Sequence, residues 1–217
     1  PVAYVNLKGF HDPDPSRESM LYWSEKQKST LAAVTSYTDG GKMQIEQVLI
    51  ANGLGAGIAR QGMVGGAVDD LLDLGYLAAE AERSGRPVSD YVVHPKGPKG
   101  VLVLATSEDA ERTPDYSVFS KVRTHDGRAY MLLKPHYFVH AEVPKTLRGV
   151  AAGLPPVITN GLAPTVSIGA VAKRAIPAGT RIEVGLGGFE LRGEAVTIAE
   201  APGAGPITLL DGAVTRH

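Results

Sequence analysis

The stretch that most constrains this chain is Tyr37-Thr38-Asp39-Gly40-Gly41-Lys42-Met43-Gln44-Ile45-Glu46, continuing to Ala51-Asn52-Gly53. It reads as a turn into a helix. Asp39 is placed as the N-cap, because its carboxylate can accept the free N–H groups of a helix start. Gly40-Gly41 lets the backbone come close to whatever lies above. From Met43 onward, Ile45, Val48, Leu49, Ile50 and Ala51 are apolar on almost every side, which predicts a buried helix. The rest of the fold must then be built around it.

Lys42 and Glu46 are out of place on such a helix. They lie four apart on one face, with Asp39 at the end of that face. A lysine in a first turn faces the positive end of the helix dipole, and lysine before glutamate is the less favourable order. With desolvation added, these effects push a lysine toward losing its proton. The plainer alternative is an i,i+4 ion pair on a solvated edge.

Around this helix the expected elements are short. Residues 2–7 read as a strand, 16–28 as a helix capped by Asp14 or Ser16, and 31–37 as a strand leading into the Asp39 turn. Gly53-Leu54-Gly55-Ala56-Gly57 ends the central helix. It follows a helix rather than a strand and lacks G-x-G-x-x-G, so it is no dinucleotide loop. A further helix is expected over 68–84, stopped by Gly85. Strands are expected over 88–93, 100–106, 117–123 and 129–133, with His125-Asp126-Gly127 as a turn.

Lys134 to Glu142 alternates, with His136, Phe138, His140 and Glu142 on one strand face. Two histidines there would stand roughly 13 Å apart at ~3.3 Å per residue, too far to share one ion, so a polar cleft wall is favoured and no metal site is expected. A short helix is expected over 144–152. The glycine and proline run 153–161 is the best boundary in the chain. Beyond it, 166–174, 180–184 and 189–197 read as strands of a small all-β unit that packs on what precedes it. The expected fold class is α+β: a mixed sheet with helices over 1–160, then a small β domain over 161–217.

The formal net charge is -1, which gives no electrostatic case for nucleic acid or an anionic membrane. No apolar run approaches the roughly 20 residues of a membrane helix. Cysteine is absent, excluding disulfides, thiolate metal sites and a cysteine nucleophile, and fitting a cytoplasmic protein. Pro1 is an unusual natural start and points to a fragment or a processed chain. No G-x-S-x-G, P-loop, H-E-x-x-H or EF-hand loop occurs.

The acid–base inventory is Lys8, Asp39, Lys42, Glu46, Lys134, His136, His140 and Glu142. A lysine beside a carboxylate suits proton transfer at a hydroxyl or carbonyl, and converging lysines suit an anionic or polyhydroxy small molecule. Lys96-Gly97-Pro98-Lys99-Gly100 is either a phosphate-holding loop or an exposed hairpin turn.

Several of these stretches fall in a known order: Asn6-Leu7-Lys8-Gly9-Phe10, the Ser36–Asn52 segment, Gly100-Val101-Leu102-Val103, Lys134-Pro135…Glu142-Val143-Pro144, and Ala172-Lys173-Arg174…Gly187-Gly188-Phe189. In this the chain resembles the homoserine-dehydrogenase-like oxidoreductases with a C-terminal SAF domain, a group that includes the 1-deoxy-D-xylulose 5-phosphate reductoisomerase-like enzymes. Members carry a Rossmann domain ahead of the strand that opens this chain. The family's Pro-Tyr-His order is Pro135-His136-Tyr137 here, so no catalytic histidine is carried over. The resemblance implies hydride transfer between NADPH or NADH, bound mainly by a domain absent from this chain, and a carbonyl or hydroxyl carbon. It implies Lys42 as proton donor or acceptor, Asp39 orienting it or holding a substrate hydroxyl, and Lys8 neutralising substrate charge. Glu46, Asn52, Lys134 and Glu142 follow as substrate-binding candidates. A SAF-like β-clip would give support or subunit contact in a homodimer. The competing readings are a non-enzymatic carbohydrate-binding or assembly module and a homoserine dehydrogenase proper.

Overall fold

A computed structural model of the chain describes residues 1–107, 121–136, 139–200 and 210–215. The strand β1 (Ala3–Lys8) is the hub of a five-stranded mixed sheet. It pairs in parallel with β2 (Val88–Val93) and antiparallel with β3 (Gly100–Ala105). β5 (Tyr130–Lys134) then joins β3, and β4 (Lys121–Arg123) closes the order β2-β1-β3-β5-β4. Alternation along β1 sends Ala3, Val5 and Leu7 to one face. There they meet Val88, Val92, Leu102 and Leu104, covered by α4 (Gly75–Ser84) through Leu77, Ala78 and Ala81.

Tyr4, Asn6 and Lys8 take the opposite face, over which α3 (Gly41–Leu54) runs. Buried Gln47 joins helix to sheet, donating to the Tyr4 carbonyl at 3.0 Å and to the Asp90 carbonyl, while Ser89 Oγ donates back to the Gln47 carbonyl at 2.8 Å. The other side of α3 packs against the antiparallel hairpin of β6 (Val166–Ala172) and β7 (Leu191–Thr197). Met43, Val48 and Ala51 of α3 share that core with Val166, Ile168, Leu191 and Ala195. A helix covered on two sides needs apolar residues around most of its circumference, which is the pattern the sequence carries.

Several elements differ from expectation. Residues 31–37 are helical: α2 (Leu31–Thr38) starts at Thr30, whose side chain accepts from the Ala33 N–H, and it follows α1 (Arg17–Gln27), capped by Ser16. Helix capping and Ala32-Ala33 outweigh the β-branched residues that suggested a strand. The expected helix over 68–84 splits into a 3-10 turn, Leu71–Leu74, capped by Asp70, and α4. The alternation from Lys134 to Glu142 is not one strand, because β5 stops at Lys134 and Glu142 sits in α5 (Val139–Ala151), which runs through Pro144. Tyr137, Phe138 and the His140 side chain lie outside the described residues, as do residues 117–120 of the expected fourth strand. Residues 180–184 form a bridge with the 210–215 segment, Ile182 N–H donating to Ala213 O at 2.8 Å, rather than a strand of the hairpin.

Candidate active site

Asp39 ends α2 rather than capping α3. Gly40 takes the N-cap position with φ 84°, a left-handed conformation that lets the chain turn sharply from one helix into the next. An added Cβ there would lie 2.8 Å from His11 Nε2. His11 itself donates from Nε2 to the Asp39 carbonyl at 3.2 Å, and burial lowers its pKa. The Asp39 carboxylate accepts the Gly41 N–H at 2.8 Å and pairs with Lys173 Nζ at 2.8 Å, both side chains having no solvent exposure. Lys173 also donates to Gly188 O at 2.9 Å. The turn that aims Lys42 is therefore tied to the C-terminal hairpin.

Lys42 and Glu46 form an ion pair with side chains 46% and 44% exposed, as open as the plainer reading of their spacing requires. Glu46 also accepts Asn6 Nδ2 at 3.1 Å. Lys8, half-buried at the end of β1, donates to the Tyr37 carbonyl at 3.2 Å. Its pKa is lowered, chiefly by desolvation and further by Lys42, with Glu46 and Asp39 opposing. Burial at the end of β1 thus loosens the Lys8 proton.

These groups line one end of an open cleft of about 1170 Å³. Its walls include Trp23 of α1, Tyr37 of α2, Ile50 and Leu54 of α3, and Val101 and Val103 of β3. Lys99 joins the polar end. It arrives from the 96–100 connection, which crosses the end of β1 between strands that are not neighbours and so is not a hairpin turn. The Lys99 side chain lies over Gly9, where any side chain would collide with it. Sequence reading had singled out the loop but not this convergence with Lys8 and Lys42.

The remaining candidates stand elsewhere. Asn52 spends its amide on the hairpin, donating to Val166 O at 2.9 Å and accepting from Thr165 and Val166 N–H. Lys134 pairs with Glu142 outside the lining of the cleft. Among the described residues no cluster of three or more His, Asp or Glu is grouped for a metal ion, and no helix is long and apolar enough to cross a membrane.

The model for the catalytic domain of oxidoreductase DRL matches residues 4–143, well over half of the chain. The chain belongs to this family. The matched span of the DRL catalytic domain takes in β1, all of α3 and β3, and hence the whole cleft wall; the β6–β7 hairpin lies beyond it. A search of curated proteins returned no match. Membership makes the chain an oxidoreductase domain and raises the question of a nicotinamide cofactor. A dinucleotide's pyrophosphate calls for a glycine-rich turn from a strand into a helix start. Among the described residues β1 does lead into α1, but through residues 9–16, whose one glycine is Gly9; α2 follows α1, α3 follows α2, and the Gly55–Gly57 run closes a helix. They supply no such cradle, and no described residue is assigned to the dinucleotide.

Proposed function

We propose that the cleft between β1, α3 and β3 is the active site of an NAD(P)-dependent oxidoreductase that interconverts a carbonyl and a hydroxyl on an anionic small molecule. The finer form of this reading is a reductoisomerase-like activity on 1-deoxy-D-xylulose 5-phosphate, in isoprenoid precursor synthesis. The supporting observation is the convergence of Lys8, Lys42 and Lys99 with the single carboxylate Glu46 at one end of the cleft. An anion entering there is attracted by three ammonium groups, and reduction of its carbonyl needs a proton at the developing alkoxide.

Lys42 is the proposed proton donor or acceptor. It is near solvent, and Glu46 orients it while Asn6 Nδ2 orients Glu46. Lys8 neutralises substrate charge and, being partly desolvated, interacts strongly with an anion that displaces the remaining water. Asp39 serves by holding the Gly40-Gly41 turn rather than by touching substrate. In the same reading residues 161–217 are a SAF-like β-clip supporting the 1–160 catalytic part, the enzyme acts as a cytoplasmic homodimer, and NADPH or NADH is held mainly by a domain other than these residues.

The test is oxidation of NADPH and NADH by the full-length protein against 1-deoxy-D-xylulose 5-phosphate and aspartate semialdehyde, with and without Lys42→Ala. Turnover of one substrate that falls by at least ~100-fold in the variant supports the assignment. A variant that keeps most of its rate removes Lys42 from the proton path. Turnover of aspartate semialdehyde alone favours the homoserine-dehydrogenase reading.

A further inference from the structure

The cleft is longer and more apolar than a small charged substrate requires. Its charged groups Lys8, Lys42, Glu46 and Lys99, together with Asn6, gather where β1 ends and α3 begins, while Gln47, farther along, is spent on backbone carbonyls. From Lys42 to Leu54 the helix covers roughly 18 Å at ~1.5 Å per residue, and the wall changes from charged to apolar along that length. Phe10, Trp23, Tyr37, Leu54 and Val101 all line this one cleft and are each at least 37% exposed, with Phe10, Tyr37 and Val101 beside the charged groups and Leu54 at the far end. Apolar side chains left in water singly are ordinary, but this many around one cavity mark a surface that something apolar covers. The volume, about 1170 Å³, is at or above the upper end of common small-molecule pockets, roughly 300–1000 Å³.

We propose that the cleft binds amphipathic anions, with a phosphate or carboxylate head at Lys8, Lys42 and Lys99 and an apolar chain lying along α3 toward Leu54. This rests on the reading of the cleft as the active site and narrows its substrate class. The charge asymmetry fixes the direction. Three ammonium groups against one carboxylate leave excess positive charge at the β1 end, while Ile50, Leu54 and Val103 at the far end offer no partner for a charge. Trp23, the only tryptophan in the chain, stands in the apolar wall and reports on its occupation.

The experiment is a Trp23 fluorescence titration of the full chain with methyl, butyl, octyl and dodecyl phosphate and with octanol, below micelle-forming concentrations. Affinity is expected to rise by up to roughly fourfold for each methylene buried, so that octyl phosphate binds at least ~100-fold more tightly than methyl phosphate. Lys8→Met should weaken the phosphates and leave octanol unchanged. Leu54→Asp, at a half-exposed position with little folding risk, should weaken dodecyl phosphate, whose chain is long enough to reach the far end, and leave methyl phosphate unchanged. Affinity independent of chain length overturns the proposal. So does a chain-length gain that ignores Leu54→Asp, or one that ignores Lys8→Met across the phosphates. Binding is read here without cofactor or turnover. A cleft that passes these tests in a protein reducing no anion keeps the amphiphile site and removes the oxidoreductase assignment of it. Turnover of a short anion with flat chain-length dependence does the reverse.

Discussion

Replacing Lys173 by methionine strands the Asp39 carboxylate with no solvent exposure, the Gly41 N–H as its remaining hydrogen bond and the more distant Lys8 as a charge partner. It also leaves Gly188 O without its ammonium donor. Breaking a buried pair from one side costs about 3–5 kcal/mol, because the surviving charge cannot rehydrate. Asp39→Asn strands the lysine in the same way, but Asn Oδ1 still accepts the Gly41 N–H, so it should sit at the low end of that range. The double variant Asp39→Asn/Lys173→Met removes both charges. It is expected within about 2 kcal/mol of wild type, although the single losses sum to about 6–10 kcal/mol. Urea unfolding followed by Trp23 fluorescence measures all three. With m near ~2 kcal/mol/M, each single variant should lower the midpoint by about 1.5–2.5 M. Single losses below about 1 kcal/mol, or a double variant that loses the full sum, would refute the reasoning. Either result would mean that water or neighbouring dipoles already stabilise these charges.

Gly40→Ala is expected to destabilise by about 1–3 kcal/mol, because φ 84° strains any side chain and its Cβ would lie 2.8 Å from His11 Nε2; the same urea titration reads it. Gln44→Ala should cost about 1–3 kcal/mol, since the Ala195 N–H and Gly62 O, both bonded to this side chain at 2.9 Å, lose their partner. Lys8 has a lowered pKa in the folded state, so between that value and the ordinary lysine value of about 10.4 the unfolded chain binds more protons. Stability should therefore rise with pH across that window in wild type and not in Lys8→Met. A parallel pair of stability–pH curves would exclude the shift.

The central helix was legible because its pattern is local. Gly40-Gly41, the apolar run from Met43 and the stop at Gly55 each carry their own physical meaning, and α3 spans Gly41–Leu54 as that pattern implies. What could not be read locally was who partners whom. Asp39 looked like an N-cap, and its carboxylate does accept the Gly41 N–H at the start of α3, but Gly40 holds the cap position and the Asp39 charge is paired by Lys173, far away in sequence, on the turn after β6. Asn52 looked like a substrate ligand, yet both ends of its amide meet backbone at the start of β6. A polar side chain in a buried helix signals that a partner exists, while the partner's identity depends on the packing of the hairpin. Residues 31–37 failed differently: valine and threonine favour a strand weakly, and the Thr30 cap decides for a helix.

The geometry also explains how a half-exposed ion pair could be accurate enough for chemistry. Lys8 is anchored on a strand paired on both sides, and its ammonium is held by the Tyr37 carbonyl at the end of α2. Lys42 is one residue into a helix whose start is fixed by Asp39, His11 and Lys173 together. Both lysines thus project from elements whose backbones cannot drift independently, because α3 is bound to the sheet through Gln47 and to the hairpin through Gln44 and Asn52. Lys99 has no such anchor and arrives from a connection between strands. A site built this way holds two cations at fixed separation on rigid elements and leaves the third adaptable. In the proposed active site an anion of variable size would use that division, with Lys8 and Lys42 setting the position of its charge and Lys99 meeting it from the loop.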